Sequence, residues 1–270
     1  MNRSGLLSHQ PDAQQSARDQ DSPGRWLVNT PLLDIEHPKI RLLALRLTQL
    51  QQGDRHKALA LFEHVRELPF ACLPDGNSVS ALTVLRRGRG DCHTKSTLLV
   101  ALLRAIQIPS RLRFVTLRAD FLRGVIDLGA LPIEHCCVEV LIEGRWIAVD
   151  SHVMDPLLAR AALARLDEEN RDLGYGMHRR GATDWDGQQQ AFAPFVADHP
   201  ASLPVHDWGP FDDPYQFYSQ VPQQRERLGL RGRLSWMFGA RLVNRRVKAL
   251  RATAMGRLQA VASLAARNTR

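Results

Sequence analysis

The stretch that decides the fold is GDCHTKSTLLVALLRAI, residues 90–106. Residues 98–103 within it are a continuous apolar run, and a helix that is apolar on every side belongs in a protein core. Asp91 is a suitable N-cap, and Gly90 before it permits a sharp approach of the chain. The stretch therefore predicts a buried helix over Asp91–Ile106, which Pro109 terminates.

Helical patterns lie before this stretch and strand patterns after it. Helices are predicted over Ile40–Leu50, Arg55–Leu68, Val79–Arg86 and Leu157–Leu166, and strands over Arg111–Leu117, Glu134–Ile142 and Arg145–Asp150. The regions Gly174–Gly187 and Pro194–Pro214 are rich in Gly, Pro, Asp and Trp, which is typical of long loops. This order predicts an α+β fold with the central helix packed on an antiparallel sheet.

The charge of the chain is concentrated at one end. Its 270 residues carry a net charge of +8, but Gln223–Arg270 holds twelve Lys or Arg against the single acid Glu226. We therefore predict a disordered N-terminus over residues 1–25, a folded domain over 26–222 and a basic, amphipathic helical tail over 223–270. No apolar stretch is long enough to span a bilayer.

The cysteine pattern favours a reducing compartment. Four cysteines in a chain of this length, two of them adjacent at Cys136 and Cys137, do not form a disulfide framework. The segment Met1–Gly24 has no apolar core or cleavage site typical of a secretory signal. We therefore expect reduced thiols and a cytoplasmic location.

A thiol, an imidazole and a carboxylate stand out for chemistry. Cys92 lies at the first turn of the predicted helix, where backbone N–H groups and the helix dipole favour a thiolate. A hairpin with its turn at Glu143-Gly144 would make His135 and Asp150 diagonal neighbours on one face, so that the carboxylate can orient the imidazole. His152, opposite His135 in this register, is the competing histidine, and we interpret it as a surface residue.

The same blocks resemble the transglutaminase-like superfamily. Gly90–Ser96 with the apolar run after it, and Ile108–Arg111, are similar to the family's nucleophile helix and to the turn that feeds its first strand. His135 before a strand, and Asp150 after Gly144-Arg145-Trp146, resemble its histidine and aspartate blocks. The helical lead-in also looks like that of bacterial members.

The resemblance implies a papain-like core and a set of roles. Cys92 would be the nucleophile, His135 the general base and acid, and Asp150 its orienter, with no cofactor. The substrate would be a peptide, a protein or a small amide, attacked through a thioester. Members that cross-link proteins use an upstream tryptophan at the oxyanion; here only Trp26 precedes the nucleophile, far away in sequence, which favours hydrolysis over transfer. The alternative is a catalytically inactive module that binds a protein or peptide.

Two alternative functions are a zinc site and a surface-binding tail. Cys92, His93, His135, Cys136 and Cys137 could supply zinc ligands, but their spacing is not that of a zinc site, and we expect no metal. In the tail, an apolar stripe recurs at helical spacing: Val243, Val247, Leu250, Ala254, Leu258 and Val261. We expect this stripe to pack on the body, with peripheral membrane or acidic-partner contact as the alternative and no nucleic-acid binding. Lys95 and Glu134 are expected to be solvated or to cap helix ends.

Overall fold

The structure is a computed structural model that describes residues 22–75, 79–129, 131–222 and 229–268, with side chains described as far as residue 256. The predicted disorder before Trp26 lies largely outside these residues. A 3₁₀ turn at Pro23–Leu27 opens the described chain and buries Trp26.

Three helices precede the nucleophile stretch: α1 at Pro38–Thr48, α2 at Gly53–Glu67 and α3 at Ala81–Arg87. Helical spacing predicts one apolar face of α2 from Ala58, Leu61, Phe62 and Val65, and all four are fully buried. The same spacing predicts a face of α1 from Ile40, Leu43, Leu47 and Leu50. Ile40 is buried and Leu43 and Leu47 are partly buried, but Leu50 lies beyond the helix and is 86% exposed.

Helix α4 (Cys92–Ala105) forms the centre of the core, as the sequence predicts. Asp91 and Thr94 form a reciprocal capping box, in which the Asp91 carboxylate accepts from the Thr94 N–H and the Thr94 hydroxyl accepts from the Asp91 N–H. Every residue from His93 to Arg104 is buried. The helix packs against β1 and β2 of the sheet on one side and against the three earlier helices on the other.

The sheet has four strands, each pair antiparallel, in the order β3 (Arg145–Val149), β2 (Pro132–Ile142), β1 (Ser110–Arg118) and β6 (His206–Phe211). Strands β1 (Ser110–Arg118), β2 (Pro132–Ile142) and β3 (Arg145–Val149) match the predicted ones. Glu143 and Gly144 both have positive φ, at 51° and 77°, which is the two-residue hairpin turn that sets the predicted register. Ile142 pairs with Arg145 and Val138 with Val149, as expected.

The later chain is more ordered than its composition suggests. The expected loop Pro194–Pro214 contains strand β6 (His206–Phe211), which adds an edge to the sheet beside β1. The expected loop Gly174–Gly187 contains part of a two-stranded ladder, β4 (Leu173–Gly174) with β5 (Met177–His178). Polar and Gly-rich strands of this kind lack the alternation from which a strand can be predicted.

Three helices complete the fold: α5 (Pro156–Glu168), α6 (Pro214–Gln220) and the long α7 (Leu230–Asn268). Helix α7 lies against α5. In the tail stripe, Val247 and Leu250 are buried, and Val243 and Ala254 are partly buried against the same cluster. The expected packing of these four residues on the body is confirmed, while the side chains of Leu258 and Val261 lie outside the described part. Within the described residues, no helix has the length and apolarity needed to cross a membrane.

Candidate active site

Cys92 occupies the first turn of α4, between the two residues of the capping box. Gly90 makes this box possible, because a Cβ at that position would lie 2.6 Å from the Thr94 hydroxyl oxygen and 3.2 Å from the Lys95 backbone nitrogen. Of the four free cysteines, Cys92 alone is partly exposed; Cys72, Cys136 and Cys137 are buried. Burial raises the pKa of each of those three thiols well above its usual value. Cys92 is therefore the thiol that a substrate can reach.

His135 and Asp150 are in contact, as the sequence predicts. The His135 Nε2 atom lies 2.7 Å from Asp150 Oδ2, and both side chains are buried. Because Nε2 is engaged by the carboxylate, Nδ1 is the ring nitrogen available to the Cys92 side chain, with which His135 also interacts. Burial lowers the pKa of His135, but hydrogen bonds to Asp150 and Cys92 outweigh this effect and raise the pKa to about 10.

The backbone around Asp150 differs from the predicted hairpin. Pairing of β2 with β3 ends at Val138 and Val149, so the expected pairs of Cys137 with Asp150 and of His135 with His152 do not form. The chain turns away there because the Asp150 N–H donates to Ala191 O at 3.0 Å, and the Val153 N–H closes a turn onto Asp150 O at 2.8 Å. This turn still brings the carboxylate to His135, by a different route from the one predicted.

A backbone group that the sequence does not reveal fixes the second oxygen of this carboxylate. The Ala193 N–H donates to Asp150 Oδ1 at 2.7 Å, while Asp150 Oδ2 faces His135. Ala193 lies 43 positions away in an irregular region. No residue-type pattern marks a backbone donor, so this partner is found only in the structure.

His152 is not the surface residue that we expected. It is fully buried, and its Nε2 atom lies 2.9 Å from the Ser96 hydroxyl, one turn along α4 from Cys92. Burial, with the nearby charges of Lys95 and His135, lowers the pKa of His152 well below its usual value. His152 is therefore a neutral residue that ties the turn after β3 to the nucleophile helix.

Lys95 and Glu134 are buried, so the expectation that they are solvated is wrong, while the alternative that they cap a helix end is right for Lys95. The Lys95 ammonium donates to the carbonyls of Leu68 at 2.9 Å, Val153 at 3.0 Å and Arg66 at 3.2 Å. It thereby caps the C-terminal end of α2, although it is not exposed as a cap usually is. Burial lowers the pKa of Lys95 to about 7, the nearby Asp155 opposing the shift.

Helix α7 holds the segment that leads to the nucleophile, a role that the sequence did not suggest. Asn244 accepts from the Cys72 N–H at 2.8 Å and donates to the Cys72 carbonyl at 2.9 Å, and Trp236 donates to Leu73 O at 2.7 Å. The Leu73 N–H in turn donates to the Asp91 carboxylate at 3.3 Å. A polar Asn between the apolar Val243 and Val247 on a packed helix face is the one signal that could have indicated this contact.

The residues considered for zinc are dispersed. His93 stacks on Phe114 with ring centroids 5.3 Å apart, Cys136 packs in the core, and the Cys137 thiol points to Arg113 O. Within the part of the chain that the structure describes, no group of three or more His, Cys, Asp or Glu side chains is arranged to hold a metal ion. Trp26 packs on Trp146 at the hairpin end of the sheet, beside Arg111.

Comparisons with known proteins relate part of the chain to one family. Residues 41–151 match the model of the Transglutaminase-like superfamily. A search of the curated proteins finds no match to the chain.

Among solved structures, the chain is similar to a candidate cysteine protease from Cytophaga hutchinsonii, with 22% identity and a TM-score of 0.42 over 51% of this chain and 44% of that one. It is also similar to a candidate protease from Parabacteroides distasonis, with 21% identity and a TM-score of 0.33 over 43% of this chain and 24% of that one. A third structure, described as a TGase, shares 16% identity with a TM-score of 0.30 over 52% of this chain and 36% of that one. The chain thus spans less than half the length of each.

The family match covers the helices before the nucleophile, the nucleophile helix itself and the strands that carry His135 and lead to Asp150. The α+β architecture, with its central helix packed on an antiparallel sheet, is the one that the sequence predicts for such a core. The resemblance seen in the sequence is confirmed: residues 41–151 match the model of the Transglutaminase-like superfamily.

Proposed function

We propose that this protein is a cysteine enzyme that attacks an amide carbonyl through Cys92 and releases the amine from a thioester intermediate. One observation carries the proposal: a partly exposed thiol lies beside a buried imidazole whose other ring nitrogen is held by a buried carboxylate. A nucleophile, a base and an orienting group in this relation are the elements of covalent acyl transfer.

The proposed reaction begins from a Cys92 thiolate paired with a His135 imidazolium, because the raised pKa of His135 favours its cationic form. The sulfur attacks the amide carbon, and the tetrahedral intermediate collapses as the C–N bond breaks and His135 returns the proton to the leaving amine. A water molecule or a second amine then gives its proton to His135 and attacks the thioester, which frees the Cys92 sulfur. The Asp150 carboxylate stabilises the imidazolium at each stage.

The N-terminal end of α4 would stabilise the negative charge that develops on the carbonyl oxygen. Cys92 lies in the first turn of α4, where the helix dipole and backbone N–H groups favour negative charge on an attacked carbonyl oxygen. Trp26 packs on Trp146 at the far end of the sheet, which argues against its use as a second donor. This departure from the cross-linking members supports hydrolysis over transfer, with a peptide, protein or small amide as the substrate.

A substrate screen that follows both products tests the proposal. Release of amine from peptide and amide substrates reports hydrolysis, and incorporation of a fluorescent primary amine into a protein reports transfer. We expect activity in the wild-type chain and in Cys137→Ala, which removes a buried thiol that points away to Arg113 O, and none in Cys92→Ala. Full activity in Cys92→Ala would place the chemistry elsewhere.

Reactivity of the thiol separates an enzyme from an inactive binding module. Alkylation of Cys92 by iodoacetamide at about pH 6 should be much faster than that of an ordinary thiol, which is almost wholly protonated there. If the rate equals that of an ordinary thiol and neither product forms, the chain is an inactive scaffold.

A further inference from the structure

The N-terminal half of α7 carries an apolar stripe that the described part of the body leaves exposed. Leu230, Leu234, Phe238 and Leu242 follow one another at four-residue steps, and they are 75%, 46%, 63% and 47% exposed. This stripe differs from the one predicted from the sequence, of which the described members Val243, Val247, Leu250 and Ala254 pack on the side that faces α5. Phe238 and the buried Val247 are nine positions apart, about half a turn around a helix of 3.6 residues per turn. The exposed stripe and the packed stripe therefore lie on opposite sides of α7.

The same outer face is strongly basic. Exposed cationic side chains lie along and beside the stripe: Arg231, Arg233, Arg241, Arg245, Arg246 and Lys248. No acidic residue occurs between Leu230 and Gly256. Leucine and phenylalanine rimmed by arginine on one helix face is the pattern of a helix that lies in the plane of an anionic lipid surface.

We propose that this face of α7 binds a membrane that contains anionic phospholipid, with the stripe Leu230–Leu242 entering the boundary between headgroups and acyl chains. The arginines would contact lipid phosphates, and the helix would lie parallel to the surface with the body above it. The charge argues against a second copy as the occupant, because a symmetric dimer would bring identical basic faces together. Nucleic acid would use the arginines but would leave the Leu and Phe side chains without a role.

Sedimentation of the full chain with vesicles tests this proposal. We expect it to pellet with vesicles of phosphatidylcholine and phosphatidylglycerol and to stay in the supernatant with phosphatidylcholine alone. The double variant Leu234→Glu/Phe238→Glu should lose at least about tenfold in partitioning, since two apolar anchors become charges of the wrong sign. Arg241→Gln and Arg245→Gln should each weaken binding by about fivefold.

The matched control is Leu45→Glu on α1, a leucine of similar exposure at 54% that lies outside α7. It should bind vesicles as the wild-type chain does. Far-ultraviolet circular dichroism of each variant checks that the fold is kept.

Three results would overturn the proposal. These are equal pelleting of the wild-type chain and the double variant, equal binding to both vesicle compositions, and a wild-type dimer in sedimentation velocity that the double variant abolishes. The last would identify a second copy as the occupant. The proposal does not depend on catalysis, so an inactive Cys92→Ala chain should bind vesicles unchanged.

Discussion

Two histidines at the base of the same hairpin are held in opposite states. His135 on β2 contacts a carboxylate and a thiol, and its pKa is raised to about 10. His152, in the turn after β3, contacts the Ser96 hydroxyl, and its pKa is lowered well below the usual value. Both side chains are buried, so burial alone does not decide the charge of an imidazole here.

The charged groups beside each imidazole decide whether it is cationic or neutral. Asp150 supplies a negative charge 2.7 Å from His135, whereas the charged groups that affect His152 are Lys95 and His135 itself, both of which disfavour a second cation. A cationic His135 thus helps to keep His152 neutral. The difference shows that one hairpin can carry a histidine suited to catalysis, His135, and a neutral histidine that only forms structural hydrogen bonds, His152.

Replacing each histidine in turn is the strongest test of the difference between them. His135→Gln should lower the rate of any acyl transfer, and of Cys92 alkylation at about pH 6, by about 10³-fold, because the group that takes the thiol proton is lost. His152→Gln should leave alkylation within about threefold of the wild-type rate. Iodoacetamide kinetics on the two variants measure both effects, and equal losses would show that the two histidines act alike.

Asp150→Asn should remove the negative charge beside His135, which His152 does not have. An amide does not stabilise an imidazolium as a carboxylate does, so the pKa of His135 should fall and activity should drop by about 10²-fold. Histidine proton NMR across the pH range follows the ring directly. A resonance of His135 that titrates unchanged in this variant would contradict the role given to Asp150.

The two histidines should contribute to the free energy of unfolding with opposite dependence on pH. As the pH falls below about 6.5, His152 becomes protonated in the unfolded chain but stays neutral in the folded chain. The contribution of His152 to the free energy of unfolding is therefore fully present above that pH, and it decreases by about 1.4 kcal/mol per pH unit below it. His135, with a raised pKa, contributes stability that is fully present below about 6.5 and is lost as the pH rises through about 10.

Urea unfolding at pH 7, 6 and 5 (about the range in which a free imidazole titrates) checks this difference. We expect His152→Gln to flatten the fall in the free energy of unfolding relative to the wild-type chain. The change in slope between the two proteins is the measured quantity, because other groups titrate equally in both. Parallel curves would show that His152 is not held neutral.

Asn244→Ala should have a smaller effect and should leave both histidines as they are. It removes two hydrogen bonds to the Cys72 backbone, at a cost of about 1–2 kcal/mol in the free energy of unfolding. The neighbouring Arg245→Ala, at an exposed position, should cost less than about 0.5 kcal/mol. A changed NMR titration of His135 in Asn244→Ala would mean that α7 influences the imidazole as well.

The sequence alone determined the central features of the fold. The apolar run after Cys92 is long enough and bounded clearly enough to be a buried helix, and Glu143-Gly144 demands the turn that sets the register of β2 and β3. These are local signals, because periodicity, capping and turn chemistry act over a few residues. From that register the contact of His135 with Asp150 could be predicted, although the backbone reaches it by a turn instead of a continued strand.

Only the tertiary structure decided what depends on distant partners. The burial of His152 and Lys95 depends on Phe62 and on the carbonyls at the end of α2, and the second oxygen of Asp150 is fixed by the Ala193 N–H. The direction in which each face of α7 points likewise depends on its packing against α5. Burial and electrostatics are properties of the assembled chain, since they sum over groups that the sequence separates by tens of residues. That is why the sequence could identify the candidate chemistry at Cys92, while the charge state of each histidine required the folded molecule.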